Sequence, residues 1–307
     1  LISCPIDTYS GYGARSRDLV KAVIELKNDE YDIKILPQRW GSCPWGFIKD
    51  HKEEWGFLTP YLLPAGNTLP KKPEVWVQVS VPNEFQPIGK YNIGFTAGIE
   101  TTICAPQWIE GLNRMDLNIV SSNHAKTVFE NSTFQKQDPN TQQVLGEVKL
   151  SKPVEVLFEG ADLTKYFPSK KKSSIDLSEV KESFAYLFVG HWMQGDLGED
   201  RKNVGLLIKT FFETFKNKKN PPALILKCSG AGSSYMDREE MLKRIKLTES
   251  TVQADTLPNV YLLHGEFTNQ EINDLYNHKK VKAMVSLTKG EGFGRPLLEF
   301  SLVNKPI

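Results

Sequence analysis

The segment from Lys282 to Glu299 constrains the fold of this 307-residue chain more than any other. Lys282-Ala283-Met284-Val285-Ser286-Leu287-Thr288 has the apolar centre of a buried strand, and Gly290 breaks it. Pro296 suits the first turn of a helix, where its missing N–H costs nothing. Strand, glycine turn and helix start in that order form one βα unit of a parallel sheet. Amides and the positive end of the helix dipole converge at such a turn, which favours phosphate. Two carboxylates frame it, Glu291 and Glu299, with seven residues between them. Arg295 and Glu299 are about one helical turn apart, so Glu299 can face the same side as Glu291. Amides for phosphates and carboxylates for hydroxyls suit a polyhydroxylated, phosphorylated ligand. The plainer reading of the same residues is a βα turn with two surface acids.

The rest of the chain repeats the alternation. Leu1 to Pro5 reads as a strand, Asp7 to Gly13 as a loop, and Ala14 to Lys27 as a helix with Leu19, Val23 and Leu26 at helical spacing. Strands are expected at Tyr31–Leu36, Glu74–Val79, Tyr91–Ala97 and Leu117–Ser121, with helices at Pro106–Asp116 and Asn123–Asn131. The Pro-, Gly- and Trp-rich run from Pro37 to Pro73 reads as long loops with a short helix near His51 to Phe57. Gln135 to Gly146 reads as a surface loop. A second unit is expected from Lys152, with strands at Val154–Phe158, Phe184–Val189, Ala223–Cys228, Val260–Leu263 and Lys282–Leu287. The pattern therefore gives two α/β units, 1–151 and 152–307, each a parallel sheet covered on both faces.

Composition narrows the function classes. A net charge of +1 gives no electrostatic case for nucleic acid as a partner. No apolar run approaches the ~18–20 residues that span a bilayer. Cys4, Cys43, Cys104 and Cys228 are far apart and match no zinc spacing, so reduced thiols in a cytosolic protein are expected. Lys170-Lys171-Lys172 reads as a solvated loop. No Asp-x-Asp element and no clustered His or Cys points to a metal.

The Glu291 to Glu299 segment resembles the Glu-x7-Glu motif of retaining glycosyltransferases with the GT-B fold, in particular family 4. That resemblance implies two Rossmann-like, doubly wound domains facing a cleft, an N-terminal acceptor side and a C-terminal donor side. It implies that Glu291 lies against the donor sugar and Glu299 holds the ribose. The backbone of Gly292, Phe293 and Gly294, followed by Arg295, would meet the sugar hydroxyls and diphosphate. Phe188-Val189-Gly190-His191 followed by Arg201-Lys202-Asn203 is similar to the family's donor-domain glycine loop and its basic follow-on. Arg201 and Lys202 would then face the diphosphate, a fork and a point charge. His191 stands where an Arg is common. Leu262 to Phe267 resembles the strand end that borders the nucleobase, with Phe267 a candidate packing partner. Val156 to Phe167 resembles the interdomain Pro-Asn-Gly-Val-Asp segment, with Glu159 in place of Asn.

On the acceptor side, Gly11, Tyr12 and Gly13 resemble the glycine loop after the family's first strand, and an ordinary turn is the plainer alternative. Glu100 is an acceptor-side candidate. Asp116 and Ser121 read as structural, and His124 as a surface residue. The function implied is metal-independent transfer from a nucleotide-diphosphate sugar, with retention, to a carbohydrate, lipid or protein acceptor. No cofactor beyond that co-substrate is implied, and the setting would be cytoplasmic or peripheral to the membrane. A non-catalytic sugar-nucleotide-binding module is the main alternative. A Rossmann oxidoreductase is disfavoured, because no Gly-x-Gly-x-x-Gly turn lies within Leu1 to Leu36. Leu1 begins inside an expected strand and Asn304-Lys305-Pro306-Ile307 should lead into another. A fragment with an incomplete second sheet is therefore expected, with self-association through its apolar edge strand.

Overall fold

The computed structural model describes residues 1–307 except 28, 42, 65–68, 70, 139–140, 142, 196 and 231. The chain forms two compact units, Leu1–Glu159 and Gly160–Ile307. In order, the first unit contains β1 (Ile2–Cys4), α1 (Gly11–Lys27), β2 (Ile35–Pro37), α2 (Phe47–Asp50) and α3 (Lys52–Trp55). It continues with β3 (Val75–Val79), β4 (Tyr91–Thr96), α4 (Pro106–Asn113), β5 (Leu117–Val120), α5 (Asn123–Asn131), β6 (Phe134–Gln137), β7 (Val144–Val148) and β8 (Val154–Val156). Its sheet runs β2-β1-β3-β4-β5-β8, with every neighbour parallel. Side chains of β3 alternate between two cores: Trp76 joins Phe85, Leu112 and Phe129, while Val79 joins Ile6, Ile35 and Leu58. That period of two is what a sheet buried on both faces requires.

The second unit contains β9 (Ala185–His191), α6 (Val204–Phe215), β10 (Ala223–Ser229), α7 (Tyr235–Ser250), β11 (Val260–Leu263), α8 (Asn269–Asn277), β12 (Val281–Met284) and α9 (Arg295–Ser301). The sheet is again all parallel, in the order β11-β10-β9-β12. Leu187 faces a core with Leu275, Tyr276 and Phe300, and its neighbour Phe188 faces one with Ile208, Phe211 and Leu226. After α9 the backbone returns alongside β12, where Met284 N donates to Pro306 O at 3.0 Å. Lys305 Nζ donates to the carbonyls of Tyr276, His278 and Val281, holding that return in place.

Three expectations need correction. The strand at Val154 belongs to the first unit, not the second: Asn118, Ile119 and Val120 pair with Val154, Glu155 and Val156. A strand sequence alone does not name its neighbour. The expected loop at Gln135 to Gly146 contains an antiparallel ribbon, β6 with β7. Its residues are almost all exposed, so the ribbon leaves no apolar alternation to read. The strand expected from Tyr31 begins only at Ile35, where pairing with Ile2 starts. Among the described residues, no helix is long and apolar enough to cross a membrane.

Candidate functional site

The strand orders locate one opening in each unit. In the second, the chain runs outward from β9 to β10 and β11, then crosses to the other side of β9 for β12. Loops leaving the carboxyl ends of β9 and β12 therefore part in opposite directions, and the gap between them is where open α/β sheets bind ligands. The β9 end carries Gly190 and His191. The β12 end leads to Glu291. In the first unit β2 and β3 lie on either side of β1, and the loop after β1 leads to Gly11, Tyr12 and Gly13.

The segment before α6 and the segment after β12 are laced together. Lys202 Nζ donates to both carboxylate oxygens of Glu291, with the two side chains only 17% and 21% exposed. Arg201 Nη1 donates to Gly290 O at 2.6 Å, and the Lys289 amide donates to Arg201 O at 2.9 Å. Asn203 Nδ2 donates to Leu287 O at 2.9 Å. Thr288 Oγ1 donates to Gly290 O at 2.9 Å. Asn203 adopts a left-handed conformation, φ 52°, which Asn tolerates better than most residues. Beneath it, the buried Asp200 accepts from the amides of Lys202 and Val204, both at 3.0 Å, and so caps the start of α6. The structure thus brings Arg201, Lys202 and Glu291 together, with Asp200, Asn203 and Thr288 as the groups that hold them. An acid just ahead of an apolar helix was a readable cap signal. Thr288 had none.

Gly294 has φ 79°, and a Cβ there would lie 3.5 Å from the Glu291 Cβ. This left-handed residue caps α9 and turns the chain beside Glu291, with Gly292 and Phe293 half-buried between. On α9, Arg295 Nε lies 3.8 Å from Glu299 Oε1, and the Glu299 side chain is 12% exposed. The Tyr276 hydroxyl is fully buried next to Glu299 and has no hydrogen-bond partner of good geometry among the described residues. Burial, then the Glu299 charge, holds that phenol well above its ordinary range.

A second group occupies the ends of β9, β10 and β11. His191 Nδ1 lies 3.4 Å from Ser229 Oγ, its neighbour across the strands. Lys227 Nζ donates to Gly265 O at 2.8 Å and sits 4.7 Å above the Phe267 ring. Phe267 also packs against the core. Asp237 Oδ2 accepts from His264 Nε2 at 2.7 Å and from the Gly230 amide at 3.0 Å. Asp237 and His264 are far apart in sequence, and nothing there linked them.

In the first unit, Gly13 has a steric reason: a Cβ would lie 2.4 Å from Thr8 O and 3.0 Å from Pro5 O. Gly11 has open space instead, so close approach does not require glycine there. Tyr12 is turned into the fold. Its ring stacks on Trp40 at 4.0 Å, and its hydroxyl meets Thr96 Oγ1 at 3.1 Å and accepts from Ala97 N at 3.0 Å. Burial raises its pKa, and the charges of Glu159 and Glu100 add to the effect. That places Glu100 in the electrostatic surroundings of the Tyr12 phenol. Arg17, overlooked in the sequence, is buried against the Phe47 ring and donates to Ile6 O and Thr8 O, fixing the loop before α1. Asp116 accepts from the Asn92 amide and side chain, and Ser121 donates to Ala97 O, as structural residues do. His124 is exposed and touches Thr101 O.

No protein-family model matches the chain, and no curated protein matches it. Solved structures do. The sucrose-phosphate synthase of Thermosynechococcus elongatus is 12% identical with a TM-score of 0.56, covering 99% of this chain and 79% of that one. The Anabaena HepE protein in complex with UDP and glucose is 13% identical with a TM-score of 0.54, covering 99% and 78%. A trehalose-6-phosphate synthase is 14% identical with a TM-score of 0.47; the match covers 80% of this chain but only 57% of that one. At these identities the likeness shows the fold: a GT-B arrangement of α/β units with parallel sheets.

Proposed function

We propose that this chain acts in retaining, metal-independent transfer of a sugar from a nucleoside-diphosphate sugar, as family 4 enzymes do. The observation that carries this reading is the Lys202–Glu291 pair at the β9–β12 opening, buttressed by Arg201, Asn203 and Asp200. A departing nucleoside diphosphate gains negative charge, and fixed cations aimed at it lower the barrier. Lys202 and Arg201 would supply that charge in place of a divalent cation. Glu291 would orient the donor sugar and favour oxocarbenium character on the face that the leaving group vacates. Glu299 would hold the ribose hydroxyls. The amides of Gly292 to Gly294 with Arg295, and Gly190 opposite, would line the sugar and diphosphate, with Phe267 near the base. Gly11, Gly13 and Glu100 would serve the acceptor, with Tyr12 bracing their loop. UDP and glucose are bound by a solved neighbour of the same fold, which makes a UDP-sugar the first choice for a donor. Four free cysteines fit a reducing, cytoplasmic setting.

The second reading, a module that binds sugar nucleotides without turnover, draws support from one observation. Lys202 and Glu291 satisfy each other, so a donor must open that pair before either can act. A panel of nucleotide sugars with simple acceptors, assayed with and without EDTA, separates the two. Transfer that is unchanged by EDTA and gives the donor's own anomer is the expected result. An absolute need for Mg2+ or Mn2+, or an inverted product, would overturn the mechanism. Donor binding with neither transfer nor hydrolysis would favour the module.

A further inference from the structure

We propose that His191 is a proton-linked phosphate ligand: the imidazole is neutral in the free protein and becomes imidazolium when a nucleoside diphosphate settles beside it. This rests on the diphosphate reading of the β9–β12 opening. His191 is the last residue of β9 and follows Gly190, so its ring stands at the mouth of that opening, against Ser229 of β10. The charged groups around it come from four elements. Lys202 approaches from the segment before α6 and Lys227 from β10, while Asp237 comes from α7 and Glu266 from the turn after β11. Each anion is already engaged: Asp237 with His264 and Gly230, and Glu266 with Ser233 at 2.6 Å.

His191 is exposed by area, with the Ser229 hydroxyl 3.4 Å from Nδ1. Partial loss of hydration at the strand ends, then the charges of Lys202 and Lys227, hold its pKa below the ordinary histidine value. A diphosphate at the same mouth brings charge of the opposite sign and pushes the pKa up. The resemblance leads one to expect an arginine here, a charge that never switches off. A histidine supplies the charge only after taking up a proton. Linkage fixes the sign. The bound form holds the extra proton, so affinity rises as pH falls from the bound-state pKa to the free-state pKa. Outside that window His191 contributes no slope. Within it the change is up to roughly tenfold per pH unit.

Calorimetry with UDP, GDP and ADP in buffers of different ionisation enthalpy measures the protons taken up. The phosphate groups of the ligand titrate near neutrality as well, but equally for wild type, His191→Arg and His191→Gln. The proposal expects wild type to take up more protons than either variant, and to lose affinity relative to His191→Arg as pH rises. Proton NMR gives a reading that needs no variant to fold beyond assignment. Five histidines make the imidazole spectrum tractable, and the His191 signal should titrate at higher pH with nucleotide present. Equal proton uptake by wild type and His191→Arg, or an unmoved His191 titration, would overturn the proposal while leaving nucleotide binding intact. No binding by either protein at any pH would overturn the diphosphate reading itself, and this inference with it.

Discussion

Glu291 should act in opposite directions on a nucleoside diphosphate and on the intact donor. In the structure its carboxylate spends both oxygens on Lys202 Nζ. A phosphate that recruits Lys202 must compete with that bond. Two unit charges about 4 Å apart attract by about 4 kcal/mol at an effective dielectric of about 20. The side chains keep 17% and 21% of their exposure, so solvent reduces the net figure to about 1–2 kcal/mol. Glu291→Gln removes the competitor while preserving shape. It should therefore tighten binding of the bare nucleoside diphosphate by about five- to thirtyfold. The same change removes the group assigned to the donor sugar, so the nucleotide sugar should gain less or bind more weakly, and transfer should collapse. Lys202→Met removes the cation itself and should weaken both ligands by about ten- to hundredfold, the worth of one charge-assisted contact. Titration calorimetry with the matching pair of ligands measures all four affinities. If Glu291→Gln weakens the bare diphosphate as much as Lys202→Met does, the two residues do not compete for it. If Lys202→Met changes neither ligand, the diphosphate lies elsewhere.

Three further outcomes are expected. Glu299→Gln should weaken nucleotide binding by about ten- to hundredfold through loss of a charged acceptor for the ribose; unchanged affinity by calorimetry would remove it from the site. Tyr276→Phe deletes a buried hydroxyl that has no hydrogen-bond partner of good geometry among the described residues, so stability to urea should hold or rise by up to about 1 kcal/mol. A loss of more than that would mean the hydroxyl bonds Glu299 after all. Gly13→Ala would push a methyl group to within 2.4 Å of Thr8 O and should cost about 1–3 kcal/mol, whereas Gly11→Ala should be close to neutral. Equal melting temperatures for the two variants would contradict the packing described.

Several features were legible in the sequence because they are local. Period-two and period-3.6 patterns marked most strands and helices, and α5 and β11 lie where the spacing placed them. Gly294, Pro296 and the acids around them announce a strand, turn and helix in the sequence itself, since backbone conformation and capping depend on neighbours in sequence. The motifs likewise named Lys202 and Glu291 separately. That these two meet, eighty-nine positions apart, depends on β9 and β12 being adjacent strands. The same holds for β8, whose three residues read as a strand but could not declare which sheet they would complete. Ribbon β6–β7, with no buried face, left no pattern at all. Arg17 under Phe47, Asp237 on His264 and the Tyr276 hydroxyl against Glu299 are products of burial. The chain by itself determined most of the segments that become strands and helices and which residue types can handle phosphate and hydroxyl. Only tertiary structure decided which of them face one another, because strand order and packing bring together side chains whose separation along the chain carries no signal.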